Sequence, residues 1–280
     1  MKRRVELCYN EVLKAFVISD EEIKKLTKQN IIPELVLPDS AYDLLYVPAP
    51  TKDAPTVGFL LGRDGDSYSA DWNYVRAMAK SGVNIRFIDH VHLNSQLTAC
   101  DGLILPGGAF VSPERYYTDP GVEPKLSPRA FAYIVCYREA VKAGKPILGI
   151  CAGAQIAAGE ENLKLHRNTA HLGGKLAHKS KEVNAHKVFI TDPKLKKMLG
   201  VGWLWANSRH SECADSDDSL SGLKIFAHSE DKCPEAWGNW ERHILCIQWH
   251  PEDEAAIGNP AMQKIYNWLA TQTAYYQANK

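Results

Sequence analysis

Apolar and polar residues along this chain fall into two regimes that meet near residue 56. Before it, Pro33, Pro38, Pro48, Pro50 and Pro55 interrupt the pattern. Proline fixes φ and removes a donor, so no long helix fits there. A short helix over residues 20–28 is predicted, capped by Ser19 or Asp20, whose side-chain oxygens can accept from free N–H groups of the first turn. Residues 1–55 therefore read as an N-terminal extension, and residues 56–280 as the main domain.

After residue 56, short apolar runs alternate with helical periodicity. Residues 57–61, 84–88, 102–105 and 146–150 predict buried strands. Helical spacing over residues 71–80, and again from Phe131 through Val141, predicts helices stopped by Ser81-Gly82 and by Gly144 and Pro146. Apolar runs without alternation suit strands buried on both faces. The expected fold is α/β, with a central, mostly parallel sheet covered by helices on both faces. Beyond residue 161 the strand text at residues 187–190, 203–206, 223–228 and 243–248 is shorter and more mixed. These segments read as antiparallel additions in the C-terminal half. A closing helix from Pro260 to about Thr273 carries Met262, Ile265, Tyr266 and Leu269 on one face.

Composition narrows the class. Basic and acidic residues number 33 each over 280 positions, so no net field draws the chain to nucleic acid or an anionic membrane. The basic start Met1-Lys2-Arg3-Arg4 is not followed by an apolar run, and no stretch approaches the roughly 20 apolar residues of a membrane span. Seven cysteines without paired spacing fit a reducing compartment with free thiols. A cytoplasmic protein is expected.

Chemistry concentrates at three places. In Gly149-Ile150-Cys151-Ala152-Gly153-Ala154-Gln155 a buried strand turns sharply into a helix. A nucleophile at the tip of such an elbow needs small neighbours, because the backbone is strained and closely approached. A thiol at a helix N-terminus also meets the positive end of the helix dipole, which favours the thiolate. Near the C-terminus, Gln248-Trp249-His250-Pro251-Glu252 offers an imidazole and a carboxylate two residues apart. In an extended segment these point the same way, which suits a base and its orienting group. Amide cleavage also needs N–H donors for an oxyanion, and the N–H of Ala152 and the Gly107-Gly108 turn are candidates.

The Pro106-Gly107-Gly108 turn, the cysteine elbow and the Gln-Trp-His-Pro-Glu phrase together resemble the class I glutamine amidotransferase-like superfamily, whose fold is flavodoxin-like. Asn207-Ser208-Arg209-His210, and a Cys followed about a hundred residues later by His-x-Glu, resemble its γ-glutamyl hydrolase branch, which includes γ-glutamyl-γ-aminobutyrate and folate γ-glutamyl hydrolases. The likeness covers roughly residues 56–270. It implies a triad of Cys151, His250 and Glu252, an oxyanion hole at Gly108 and Ala152, and substrate contacts from Gly107, Gln155, Asn207, Ser208, Arg209 and His210. Within that set, Gln155 and residues 208–210 would meet the glutamyl α-amino and α-carboxylate groups. A substrate-side loop would run from Gly107 to Tyr116. Ala152 and Ala154 depart from the branch, where Arg and Met or His are usual, and the departure bears on substrate preference.

No cofactor is implied. Cys213, Cys233 and Cys246 lie near His210, His228 and His243 in sequence, but no metal-ligand spacing links them, and no metal is expected. Gly173-Gly174 and Gly62-Arg63-Asp64-Gly65 lack the phosphate-loop pattern and its lysine. Three functions remain open: a stand-alone hydrolase of γ-glutamyl amides; a glutaminase subunit delivering ammonia to a separate synthase; and a catalytically silent regulatory protein on the same fold. A small γ-glutamyl compound is the expected partner of the first, a synthase of the second, and a homodimer is compatible with any.

Overall fold

The computed structural model describes every residue except 110–111, 119–125 and 170–177. Gly173-Gly174 and part of the loop after the Gly107-Gly108 turn lie outside the described residues. The chain is α/β and divides into two compact units, residues 1–106 with 138–146 and 252–280, and residues 107–137 with 147–251.

In the first unit the strands lie in the order Lys2–Glu6, Ile32–Val36, Asn84–Ile88, Thr56–Leu60 and Gly102–Leu105. The last three pair in parallel. All of Gly102–Leu105 is buried, as is Thr56–Leu60 after its first residue, which is why these strands read as unbroken apolar text. Ile32–Val36 runs antiparallel to Asn84–Ile88 and parallel to Lys2–Glu6. Residues 1–55 thus add two strands to this sheet. They also supply Cys8–Asn10 and Ala15–Ser19 to a second, four-stranded sheet with Ser67–Asp71 and Gly62–Asp64.

The helices of this unit start where local chemistry places them. Asp20–Lys28 is capped by Ser19, whose hydroxyl accepts from the Glu22 N–H at 3.2 Å. Trp72–Ala79 begins behind Asp71, which accepts from the Asn73 N–H at 2.8 Å. The closing helix, Pro260–Asn279, buries Met262, Ile265, Tyr266, Leu269 and Thr273 along one face. It runs past the expected stop near Thr273 because nothing there breaks a helix. A methyl group on Gly102 would overlap the Thr273 hydroxyl, so the glycine lets the helix seat against the strand.

In the second unit Ile147–Ile150 pairs in parallel with Ile244–Ile247. Pro234–Asn239, Lys224–Ser229, His186–Ile190 and Trp203–Ala206 follow, each antiparallel to its neighbour. Three of the four segments expected as antiparallel additions take that place. The fourth, around residues 243–248, is a correction: it is a parallel partner of the strand leading to Cys151. The intervening strand Pro234–Asn239, which sequence patterning missed, supplies the antiparallel partner. Among the described residues no helix is long and apolar enough to cross a membrane.

Candidate active site

Cys151 stands at the junction of the strand Ile147–Ile150 and the helix Ala152–Glu160, with φ +49° and ψ −109°. A non-glycine residue at positive φ is strained and persists only where its surroundings hold it. Two backbone bonds hold this one. The Cys151 N–H donates to the Ile247 carbonyl at 2.8 Å, one step beyond the strand ladder, and the Cys151 carbonyl accepts from the Gln155 N–H at 3.0 Å. The small residues around it have a measurable reason. A Cβ on Gly149 would lie 3.0 Å from the Ala154 backbone, so a side chain there would lift the helix off the strand.

The helix N-terminus at Ala152 leaves N–H groups without intrahelical partners, as every helix does. Gly107 and Gly108 lie in the same unit. A methyl group on Gly108 would collide with the Arg129 guanidinium, and Arg129 also donates to the Gly107 carbonyl at 3.4 Å. Sequence reasoning missed Arg129, because one arginine in the first turn of the helix Pro128–Lys142 carries no pattern of its own.

His250 lies three residues past the strand Ile244–Ile247, and its backbone is gripped on both sides. Asn207 Nδ2 donates to the His250 carbonyl at 2.8 Å, and the His250 N–H donates to Asn207 Oδ1 at 2.8 Å. All four atoms are buried, so each bond also spares a polar group that water cannot reach. The expectation of an extended His250-Pro251-Glu252 segment is corrected here. A helix, Pro251–Ile257, begins at the proline and carries the buried Glu252 in its first turn. Proline suits that position because its missing N–H would have been unpaired anyway.

The remaining candidates divide. Gln155, one turn beyond Cys151, is buried and donates to the Gln248 side chain at 3.3 Å and to the Glu212 carbonyl at 3.4 Å. Ser208 donates to the His178 carbonyl. His210 Nδ1 bonds the Glu212 carbonyl at 2.8 Å, and its other nitrogen faces Glu235 in the interior. Arg209 is exposed and pairs through its backbone with Lys179. Tyr116 is buried over Gly159 and donates to Glu160. Glu212, another residue the sequence did not single out, accepts from the Tyr117 hydroxyl at 2.9 Å. Burial holds its carboxyl above the usual range, although that hydroxyl and Arg167 oppose the shift.

Cys246, Cys100 and Cys233 are buried, and burial pushes the Cys246 and Cys100 thiols up. Of the tryptophans, Trp237 and Trp249 fill the core, while Trp203 and Trp205 are exposed with the Lys187 ammonium 5.2 and 5.4 Å from their rings.

The chain as a whole is similar to known proteins. The peptidase C26 family profile matches residues 64–252. A Schizosaccharomyces pombe protein described as a glutamine amidotransferase, PB2B2.05, is 30% identical over 238 residues, covering 80% of this chain and 88% of its own. YvdE of Lactococcus lactis, described as glutamine amidotransferase-like, is 29% identical over 167 residues, 58% of this chain and 70% of its own. The glutaminase domain of CTPS from Trypanosoma brucei, solved with bound acivicin, shares the fold. Its TM-score is 0.53 at 18% identity over 81% of this chain and 95% of that one. The chain belongs to the peptidase C26 family, within the class I glutamine amidotransferase-like superfamily.

Proposed function

We propose that this protein hydrolyses γ-glutamyl amide bonds, with Cys151 as nucleophile, His250 as proton shuttle and Glu252 as the group that orients the imidazole. The observation that carries the reading is the strained elbow. A thiol held at φ +49° between a buried strand and a helix N-terminus is a costly arrangement for a residue that merely fills space. The Asn207 grip on the His250 backbone supports it, because a proton shuttle works only when held in position.

In this scheme the Cys151 thiol passes its proton to His250 as its sulfur attacks the δ-carbonyl carbon and forms a C–S bond. The oxyanion is met by N–H donors of Ala152 and Gly108. His250 then gives its proton to the leaving amine as the C–N bond breaks, leaving a γ-glutamyl thioester. Water, losing a proton to His250, attacks that thioester, and the C–S bond breaks to release glutamate and the thiol. With the Ser208 hydroxyl and the His210 ring engaged in the interior, the substrate's α-amino and α-carboxylate groups fall to Glu212, Gln155 and Arg129, whose charge and polarity match them.

Release of glutamate from glutamine and from a panel of γ-glutamyl amides tests the reading. Small-amine amides are expected to exceed glutamine in kcat/KM by a graded margin. Cys151→Ala should abolish turnover. His250→Asn should lower kcat by about 10²–10⁴-fold, and Glu252→Gln by less. A higher kcat/KM for glutamine, rising further with an added synthase, would favour the glutaminase-subunit reading instead.

A further inference from the structure

Apart from the elbow, the second unit contains a cluster of buried titratable side chains that the hydrolytic scheme does not use. His178, His186, His210 and Glu235 come from two strands and two loops, and all four are buried. One carboxylate oxygen, Glu235 Oε1, lies 3.2 Å from His178 Nδ1, 2.9 Å from His186 Nε2 and 3.6 Å from His210 Nε2. Donor atoms of His178, His186 and Glu235 all lie within 4.8 Å of one another. The rings are packed together, with His178 centred 4.6 Å from His186 and 5.0 Å from His210.

These separations look like hydrogen bonds, but the directions do not. None of these three nitrogens, and neither Glu235 oxygen, has an aligned hydrogen-bond partner among the described residues. The far side of two rings explains why. His178 Nε2 sits 3.2 Å from both oxygens of Asp231. His210 Nδ1 sits 2.8 Å from the Glu212 carbonyl. Both partners are acceptors, so each of those nitrogens carries a proton. The second nitrogens of these rings, His178 Nδ1 and His210 Nε2, are then left facing the Glu235 carboxylate. A cation between them would bind those nitrogens and the carboxylate together, with both outer N–H groups already engaged.

We infer that His178, His186, His210 and Glu235 form a binding site for a divalent cation of the Zn²⁺ class. Bonds of about 2.0–2.1 Å at tetrahedral angles put neighbouring donors about 3.3 Å apart, and the three separations, 2.9, 3.2 and 3.6 Å, bracket that edge. Metal-bound histidines hand their other N–H to a carboxylate or a backbone carbonyl, and Asp231 and the Glu212 carbonyl provide one of each. A dication would be balanced by Glu235 and Asp231. The wider span between His178, His186 and Glu235 closes as the cation draws the imidazoles inward. All donors are nitrogen or oxygen, so the site differs from a thiolate site built on Cys213 or Cys233.

Its place in the fold gives it a task. His210 follows Asn207 by three residues, and its N–H donates to the His178 carbonyl at 2.9 Å. A cation joining His210 to His186 and Glu235, on the strands His186–Ile190 and Pro234–Asn239, would fix the segment that grips the His250 backbone. The role is positional and does not depend on which amide is cleaved.

Zn²⁺ and Co²⁺ titrations of the Cys151→Ala protein test this, since that background removes the elbow thiol as a competing ligand. After treatment with chelator, the expected result is binding of roughly one Zn²⁺ per chain that survives dialysis, with a rise in melting temperature. The Co²⁺ form should show the visible bands of a tetrahedral nitrogen–oxygen site. Adding His186→Ala should remove both effects. If that variant fails to fold, the Co²⁺ spectrum of the Cys151→Ala protein still decides. No retained metal and an unchanged melting temperature would show that the cluster is a proton-linked imidazole–carboxylate network, overturning the inference. So would a thiolate-to-cobalt charge-transfer band, or Zn²⁺ held equally by a folded His186→Ala variant.

Discussion

Asn207 and His250, 43 residues apart in the chain, are joined by a reciprocal pair of 2.8 Å hydrogen bonds in which each residue is both donor and acceptor. A side-chain amide has one N–H face and one C=O face side by side, so Asn207 satisfies a backbone C=O and N–H together. Asn207→Ala should therefore leave two buried backbone groups unpaired. The expected loss is about 1–3 kcal/mol of stability for each group left unsatisfied, with a fall in kcat. Asn207→Asp keeps the acceptor, loses the donor and sets a carboxylate oxygen against the His250 carbonyl, so it should be no better. Urea denaturation and steady-state kinetics check this. Wild-type stability in Asn207→Asp would show that the grip contributes nothing.

Backbone strain at Cys151 makes a prediction separate from catalysis. Glycine adopts φ +49° without the Cβ penalty, so Cys151→Gly should be more stable than Cys151→Ala by roughly 1 kcal/mol, whatever either variant does to turnover. Equal midpoints in parallel denaturant titrations would mean that the elbow stores no strain.

Glu161 receives both guanidinium nitrogens of Arg242, at 2.6 and 2.8 Å, and the Tyr137 hydroxyl at 2.7 Å. Burial opposes its ionised form, yet these donors prevail and hold the carboxyl below its ordinary value of 4.5. A depressed carboxyl contributes stability that is fully present above the unfolded-state value and is lost as pH falls through the folded-state value. Glu161→Gln should be less stable than wild type at neutral pH, and the gap should narrow as the pH drops below about 4.5. Melting curves from pH 7 downward give the answer, and a gap that widens in acid would reverse the sign.

Gly159 faces the ring of Tyr116 so closely that an added methyl group would enter it. Tyr116 cannot retreat easily, being buried and bonded to Glu160. Gly159→Ala gains helix propensity yet should lose about 1–3 kcal/mol through overpacking. Tyr116→Ala in the same chain should relieve part of that loss, and thermal denaturation of the single and double variants measures the coupling.

What the sequence determined by itself was local. Ser19 starts a helix because its hydroxyl meets a free N–H three residues on, and the strands Thr56–Leu60 and Gly102–Leu105 are legible because burial on both faces demands unbroken apolar text. The elbow at Cys151 was readable because the small residues that let a strand turn sharply into a helix are contiguous there. Strand direction was not readable. Residues 244–247 look alike whether they run with or against a neighbour, and only tertiary pairing with Ile147–Ile150 made them parallel. Nor could periodicity show that Pro251 opens a helix rather than ending a strand. The partners of Asn207, and the gathering of His178, His186, His210 and Glu235, depended wholly on the fold. Their positions span 58 residues with no motif spacing, and they converge because the strands His186–Ile190 and Pro234–Asn239 and the loops at 178 and 210 pack into one interior. Local hydrogen bonding and burial pattern are written in adjacent residues, whereas a site assembled from distant ones exists only once the sheet has closed around it.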